Sequence, residues 1–228
     1  MAERDPNAIT WRFLPMGEAA LLVEGQPALP LTNRYALALA QALSARALPA
    51  VHALVPALNS LLVTFDPLLL SQAGLQEQIS GLLTQIEPVP ETPSRVLAIP
   101  VVYGGEAGPD LEEVARQLEL TPHEVVAEHC AHTYRVMMIG FAPGFPYIGP
   151  LPDRLVLPRR ATPRPAVPAG SVAIAAGLTG IYPTRLPGGW HLIGRTTLRL
   201  FDPGADPPAT LEPAAGVRFV PLPEGLMP

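Results

Sequence analysis

Seven of the chain's fifteen basic residues lie between Arg154 and Arg199, and no Asp or Glu lies among them. In a 228-residue chain of net charge −5, this is a local positive field, suited to an anionic small molecule or an acidic partner surface. Every basic residue is arginine. Guanidinium groups bind carboxylate or phosphate as planar, two-pronged donors. Arg159, Arg160 and Arg164 share a proline-punctuated loop, and Arg185 and Arg195 flank Pro187-Gly188-Gly189-Trp190-His191. Arg160, Arg164 and Arg195 are the principal candidates for anion or partner binding. Phe141, Tyr182 and Trp190 are candidates for an apolar or stacking wall beside them. His191, with an ordinary pKa of about 6.5, is the one evident acid–base group in the segment, although a plain polar contact is the simpler reading.

Other chemistries are excluded or weakly signalled. Without lysine there can be no Walker A phosphate loop, no lysine Schiff base and no biotinyl-lysine carrier. The run Gly140-Phe141-Ala142-Pro143-Gly144-Phe145 resembles a phosphate cradle only superficially, because its proline removes an amide such a loop would donate. It reads instead as a rigid aromatic-bearing loop. His123, His129 and His132 cluster near Cys130, but their spacing matches no standard zinc pattern. They read as packing or solvated histidines, Cys130 as a small core residue, and no metal is expected. Ser171 follows a glycine directly before an apolar run and reads as a turn serine, with no Gly-x-Ser-x-Gly elbow. No residue declares itself catalytic. The acidic overall balance argues against nucleic acid as a partner. The sequence lacks an export signal and an apolar run long enough to cross a membrane, and its single cysteine can form no internal disulfide. These features point to a cytoplasmic protein.

The elements that must position these residues fall into two groups. Residues 9–14 and 20–24 read as strands. A helix follows over 34–47 with Asn33 as its cap, then strands at 51–55 and 61–65 and an amphipathic helix over 71–86. This order makes a two-layer α+β unit over residues 1–88. The proline-rich stretch 87–94 reads as an extended spacer. The second unit, 95–228, opens with a strand over 95–102. Asp110 with Glu113 reads as a capping box, with Leu111, Val114, Ala115 and Leu118 as the buried stripe of its helix. Thr121-Pro122-His123-Glu124 starts a second helix running to about residue 129. Short strands at 135–139, 155–157, 172–176, 180–182, 197–201 and 217–220, separated by Gly/Pro loops, predict a barrel-like β domain.

The run GFAPGFPYIGPLPDRLVLPRRATPRPAVPAGSVAIAAGLTGIYPTRLPGGWHLIGRT, with VVYGGEAGPDLEEV and YRVMMIG before it and LLVTFDP in the first half, resembles the family called the 5-oxoprolinase B subunit, KipI or allophanate hydrolase subunit 1. The resemblance covers nearly the whole chain. It implies a small α+β N-terminal domain followed by a cyclophilin-like β-barrel. It further implies one component of an ATP-dependent lactam hydrolase that converts 5-oxoproline to glutamate. Such a component is inactive alone and works with two others, the C (KipA-like) and A subunits of the same enzyme. The alternative implied by the KipI branch is a regulator that binds and inhibits a sensor histidine kinase. A third reading, prolyl isomerisation, rests on analogy with the barrel alone.

Overall fold

The computed structural model describes residues 9–28 and 30–223, which divide into two compact units, Met1–Glu91 and Thr92–Pro228. The expectation of no export signal falls on residues 1–8, which lie outside the described residues, as does Leu29.

The first unit follows the order ββαββα. Strands β1 (Thr10–Pro15), β2 (Ala20–Gln26), β3 (Val51–Pro56) and β4 (Ser60–Phe65) pair antiparallel in the order β1-β2-β4-β3. Alternation sends Leu21, Val23, Leu61, Val63 and Phe65 to one buried face. Helices α1 (Pro30–Arg46) and α2 (Gln72–Leu83) cover that face with Leu39, Leu43, Leu75 and Ile79. Ser71 caps α2, its hydroxyl accepting the Gly74 amide at 3.1 Å. Asn33 does not cap α1. The helix begins earlier, at Pro30, whose fixed φ suits a first turn. Asn33 instead lies buried within it, with Nδ2 donating to the Ala57 carbonyl at 2.9 Å. Within the proline-rich stretch, the Val89 carbonyl accepts from Arg34 Nε at 2.7 Å, which ties that part of the spacer to α1.

The second unit is a closed seven-stranded barrel in the order β10-β7-β6-β13-β5-β12-β9. Its strands are β5 (Val96–Tyr103), β6 (Tyr134–Ile139), β7 (Pro146–Gly149), β9 (Ser171–Ala175), β10 (Leu178–Ile181), β12 (His191–Arg195) and β13 (Gly216–Leu222). Only β5 and β13 run parallel. The chain is therefore α+β, with a barrel following a small two-layer unit. Short β8 (Arg164–Val167) and β11 (Leu186–Gly188) form a separate two-stranded ribbon. Val101, Val136, Val172, Ile174, Ile193 and Val217 fill the interior. Val114 of α3 (Leu111–Gln117) and Val125 of α4 (Pro122–Ala131) join the same core. Helix α4 starts on a complete capping box, with Thr121 Oγ1 accepting the Glu124 amide at 3.2 Å and Glu124 accepting the Thr121 amide at 2.8 Å.

Two apolar runs expected as strands are not strands. Residues 153–155 form a 3-10 turn and 156–157 continue without regular structure, and Leu155 and Leu157 pack into the barrel core. Residues 197–201 make one isolated bridge, Phe201 to Ala209, with Leu200 buried. In both places burial comes from side-chain packing, without a ladder partner. Their β-type composition therefore marks an environment and not a strand.

Candidate functional site

The outer face of β9 and β12 carries a second apolar layer. Val172 and Ile174 of β9 point into the barrel, so Ala173 and Ala175 point outward. They meet Phe145, Val167, Tyr182, Trp190 and Leu192. Phe145 is the hub of this layer. Its ring stands edge-to-face against Tyr182 (5.1 Å, 87°), Trp190 (5.9 Å, 87°) and Phe141 (5.4 Å, 84°). Tyr147 packs on Trp190 at 5.7 Å. The backbone of Gly188 abuts the Tyr182 ring so closely that a Cβ there would overlap the phenol.

These rings line a recess of about 100 Å³, together with Arg159, Gly188 and Gly189. Phe141 stands at its rim, 60% exposed, with φ of 69° in the left-handed region. Burial raises the pKa of both Tyr147 and Tyr182, against the opposing pull of Arg159. Both phenols therefore stay protonated at neutral pH and can donate hydrogen bonds. The recess offers planar apolar walls, phenolic donors and one guanidinium, without a nucleophile or general base among its lining residues. This set can hold a small planar group with a polar edge or an inserted side chain.

The predicted arginine cluster resolves into different roles. Arg160 and Arg164 do not face an open anion site. They converge on Asp110, 50 and 54 residues earlier in the chain. Arg164 donates from Nη1 and Nη2 to the two carboxylate oxygens at 2.8 and 2.7 Å, and Arg160 Nη1 adds a bond of 2.9 Å. The Leu192 amide donates to Asp110 Oδ2 at 2.7 Å, and the Asp110 amide donates back to the Leu192 carbonyl at 2.9 Å. Burial pushes the Asp110 pKa up. The Arg164 hydrogen bonds, the Leu192 amide and the two positive charges outweigh it and hold the carboxyl below its ordinary value. The expected capping box at Asp110 accordingly does not form. Its carboxylate makes no cap bond to α3 and is spent on the arginines. Asp110 thus ties the β8 ribbon to β12 and the start of α3.

Arg154 pairs with Glu128 at 3.8 Å and Arg199 with Asp202 at 2.8 Å. Among the described residues, Arg159, Arg185 and Arg195 have no ion-pair partner within 4.0 Å. His191 lies outside the recess lining, only 3% exposed. Its Nε2 is 2.9 Å from the Pro158 carbonyl, so the proton must sit on that nitrogen. A general-base role in the recess is not what this geometry serves. Of the sequence-based candidates, Phe141, Tyr182 and Trp190 come together. Phe145 and Tyr147 join them without having stood out in the sequence, although both lie in the same Gly140–Tyr147 run as Phe141. The loop amides of Gly140, Ala142 and Phe145 bond to carbonyls within the loop, so they present no phosphate cradle.

His129 is fully buried inside the second unit. Thr179 Oγ1 donates to the Ala173 carbonyl at 3.1 Å, so it must accept from His129 Nε2–H at 3.0 Å. His129 Nδ1 then accepts from the Tyr103 hydroxyl at 2.8 Å, and that hydroxyl accepts from Cys130 Sγ at 3.4 Å. Burial lowers the His129 pKa to about 3. Among the described residues, no group of three or more His, Cys, Asp or Glu is placed to hold a metal ion, and no helix is long and apolar enough to cross a membrane. A wider groove of about 510 Å³, lined by Arg95, Leu97, Glu212 and residues near it in the chain, holds none of the predicted site residues.

An α+β chain whose closed barrel carries an aromatic recess on its outer face is the class that these observations define. The family model for the carboxyltransferase domain, subdomain C and D, matches residues 11–211. Two curated relatives are both named as the B subunit of 5-oxoprolinase. That of Escherichia coli O157:H7 is 44% identical over 92% of this chain and 96% of its own length. That of Bacillus subtilis (strain 168) is 38% identical over 95% of each. The crystal structure of TTHA0988 superimposes with a TM-score of 0.78 at 38% identity; it covers 92% of this chain, which spans only 40% of that longer one. The chain belongs to the 5-oxoprolinase B-subunit family, within the carboxyltransferase-domain C and D group.

Proposed function

We propose that this chain is a cytoplasmic, non-autonomous subunit of an ATP-dependent 5-oxoprolinase, acting with the C (KipA-like) and A subunits of that enzyme. The observation that carries this is the 44% identity, over nearly the full length of both chains, to a protein named as the 5-oxoprolinase B subunit. That name supports the hydrolase reading over kinase inhibition. The aromatic recess contributes binding, not covalent chemistry. Its walls suit a small planar lactam or an inserted side chain from a partner, and Arg159 and the two phenols suit a carbonyl or carboxylate edge. Nucleotide chemistry falls to other chains, since this one has no lysine and its glycine-rich loop has bonded its own amides. Opening the lactam requires water to add at the amide carbon and the ring C–N bond to break; stabilising the developing oxygen anion is the part that positive or hydrogen-bonding groups can supply.

The test is reconstitution. The chain should co-purify with its C- and A-type partners and give 5-oxoproline-dependent ATP hydrolysis only when all are present. An assembled but inactive set, with tight binding to a histidine kinase, would reverse the assignment.

A further inference from the structure

Ser171 and Arg195 are direct cross-strand partners at the ends of β9 and β12. Side chains of such partners project from the same face, with Cβ atoms about 5 Å apart. Ser171 shares the parity of Ala173 and Ala175, so both side chains lie on the outer face of the barrel. They stand about 7 Å along the ladder from Ala173 and Leu192, which belong to the aromatic layer.

Both residues carry unused hydrogen-bonding capacity. Ser171 is completely buried, yet its hydroxyl has no hydrogen-bond partner. Arg195 Nε is buried and likewise unpartnered, while the residue as a whole is only half-buried. No carboxylate of the described residues pairs with its guanidinium. Buried polar groups are normally satisfied, and two orphans of matching chemistry at one cross-strand position call for a shared acceptor. An acceptor that meets an O–H, an N–H and a positive charge is an oxyanion.

We propose that Ser171 and Arg195 form a subsite for one oxyanion, a carboxylate or a phosphate group. The Ser171 hydroxyl donates one hydrogen bond and Arg195 Nε–H a second, and the guanidinium supplies the charge. The inference needs only this chain and stands apart from the proposed function.

The experiment uses the full chain with ¹⁵N-labelled arginine. The Arg195 Nε–H signal is assigned by its loss in Arg195→Lys. Sodium acetate and sodium phosphate are titrated separately against sodium chloride at matched ionic strength. A saturable shift of the Arg195 signal with acetate identifies a carboxylate site, and with phosphate a phosphate site. Ser171→Ala should weaken that binding about tenfold. It should leave the Tm without anion unchanged or raised, because the hydroxyl has no protein partner to lose. An Arg195 signal that neither anion moves beyond the chloride control overturns the proposal. So does Ser171→Ala binding as tightly as wild type, or a fall in its anion-free Tm, which would show the hydroxyl already bonded within the fold.

Discussion

Arg164 grips Asp110 through two parallel N–H···O bonds of 2.8 and 2.7 Å, and this pair fastens the β8 ribbon to the barrel. Two of the three arginines that looked most like an anion site in sequence, Arg160 and Arg164, are therefore already paired with an acid from elsewhere in the chain. Asp110→Asn keeps the shape but takes the negative partner from two guanidiniums that are 29% and 25% exposed. It should cost about 2–3 kcal/mol after discounting for that exposure. Chemical denaturation measures it. Arg199→Ala, which breaks an exposed pair, should stay within about 0.5 kcal/mol of wild type.

Stability should fall with acid before the carboxylates titrate. His129 has a folded pKa of about 3 against an unfolded value near 6.5, so below pH 6.5 the unfolded chain takes up a proton that the folded chain refuses. The loss begins near pH 6.5 and grows down to about 3. Between pH 7.5 and 5 it amounts to about 2 kcal/mol. Asp110 acts at lower pH in the same direction. Its contribution is present above the ordinary carboxylate value and disappears as pH falls through its lowered folded value. Urea midpoints across this range should decline for wild type and be flatter for His129→Gln; a flat wild-type profile contradicts the mechanism.

The recess should separate function from folding. Phe141 is exposed and Arg159 has no ion-pair partner among the described residues, so Phe141→Ala and Arg159→Ala should each leave stability within about 0.5 kcal/mol of wild type. In the reconstituted enzyme each should reduce turnover, or affinity for the partner chains, about tenfold or more. Unchanged turnover and unchanged co-purification would remove the recess from the site.

Gly108 lies where a Cβ would overlap the backbone of Ile193 and Gly194. Gly108→Ala should push the loop that carries Asp110 away from β12 and cost about 1–3 kcal/mol. The Leu192 amide, which donates to Asp110, should lose hydrogen-exchange protection in this variant. Retained protection at Leu192 would show that the clamp does not depend on this close approach.

Local chemistry determined a good deal of this protein from sequence. The short apolar runs at 20–24 and 61–65, and the helical spacing of Leu75, Ile79 and Leu82, announce the first unit because each pattern is read within one element. Thr121, Pro122 and Glu124 announce the start of α4 for the same reason. The absence of lysine rules out whole chemistries by composition alone, and the long glycine- and proline-punctuated run carries the family resemblance. The tertiary structure alone decided which arginines are available. Asp110 reads locally as a helix cap, and only barrel closure brings it to Arg160 and Arg164 and so takes it from that role. The structure also decided that the apolar run at 197–201 packs without a ladder while His191–Arg195 becomes a barrel strand. Strand pairing and charge pairing are contacts between distant segments. Composition can state that a run wants burial or that a charge wants a partner, but the partner is chosen by the closed sheet.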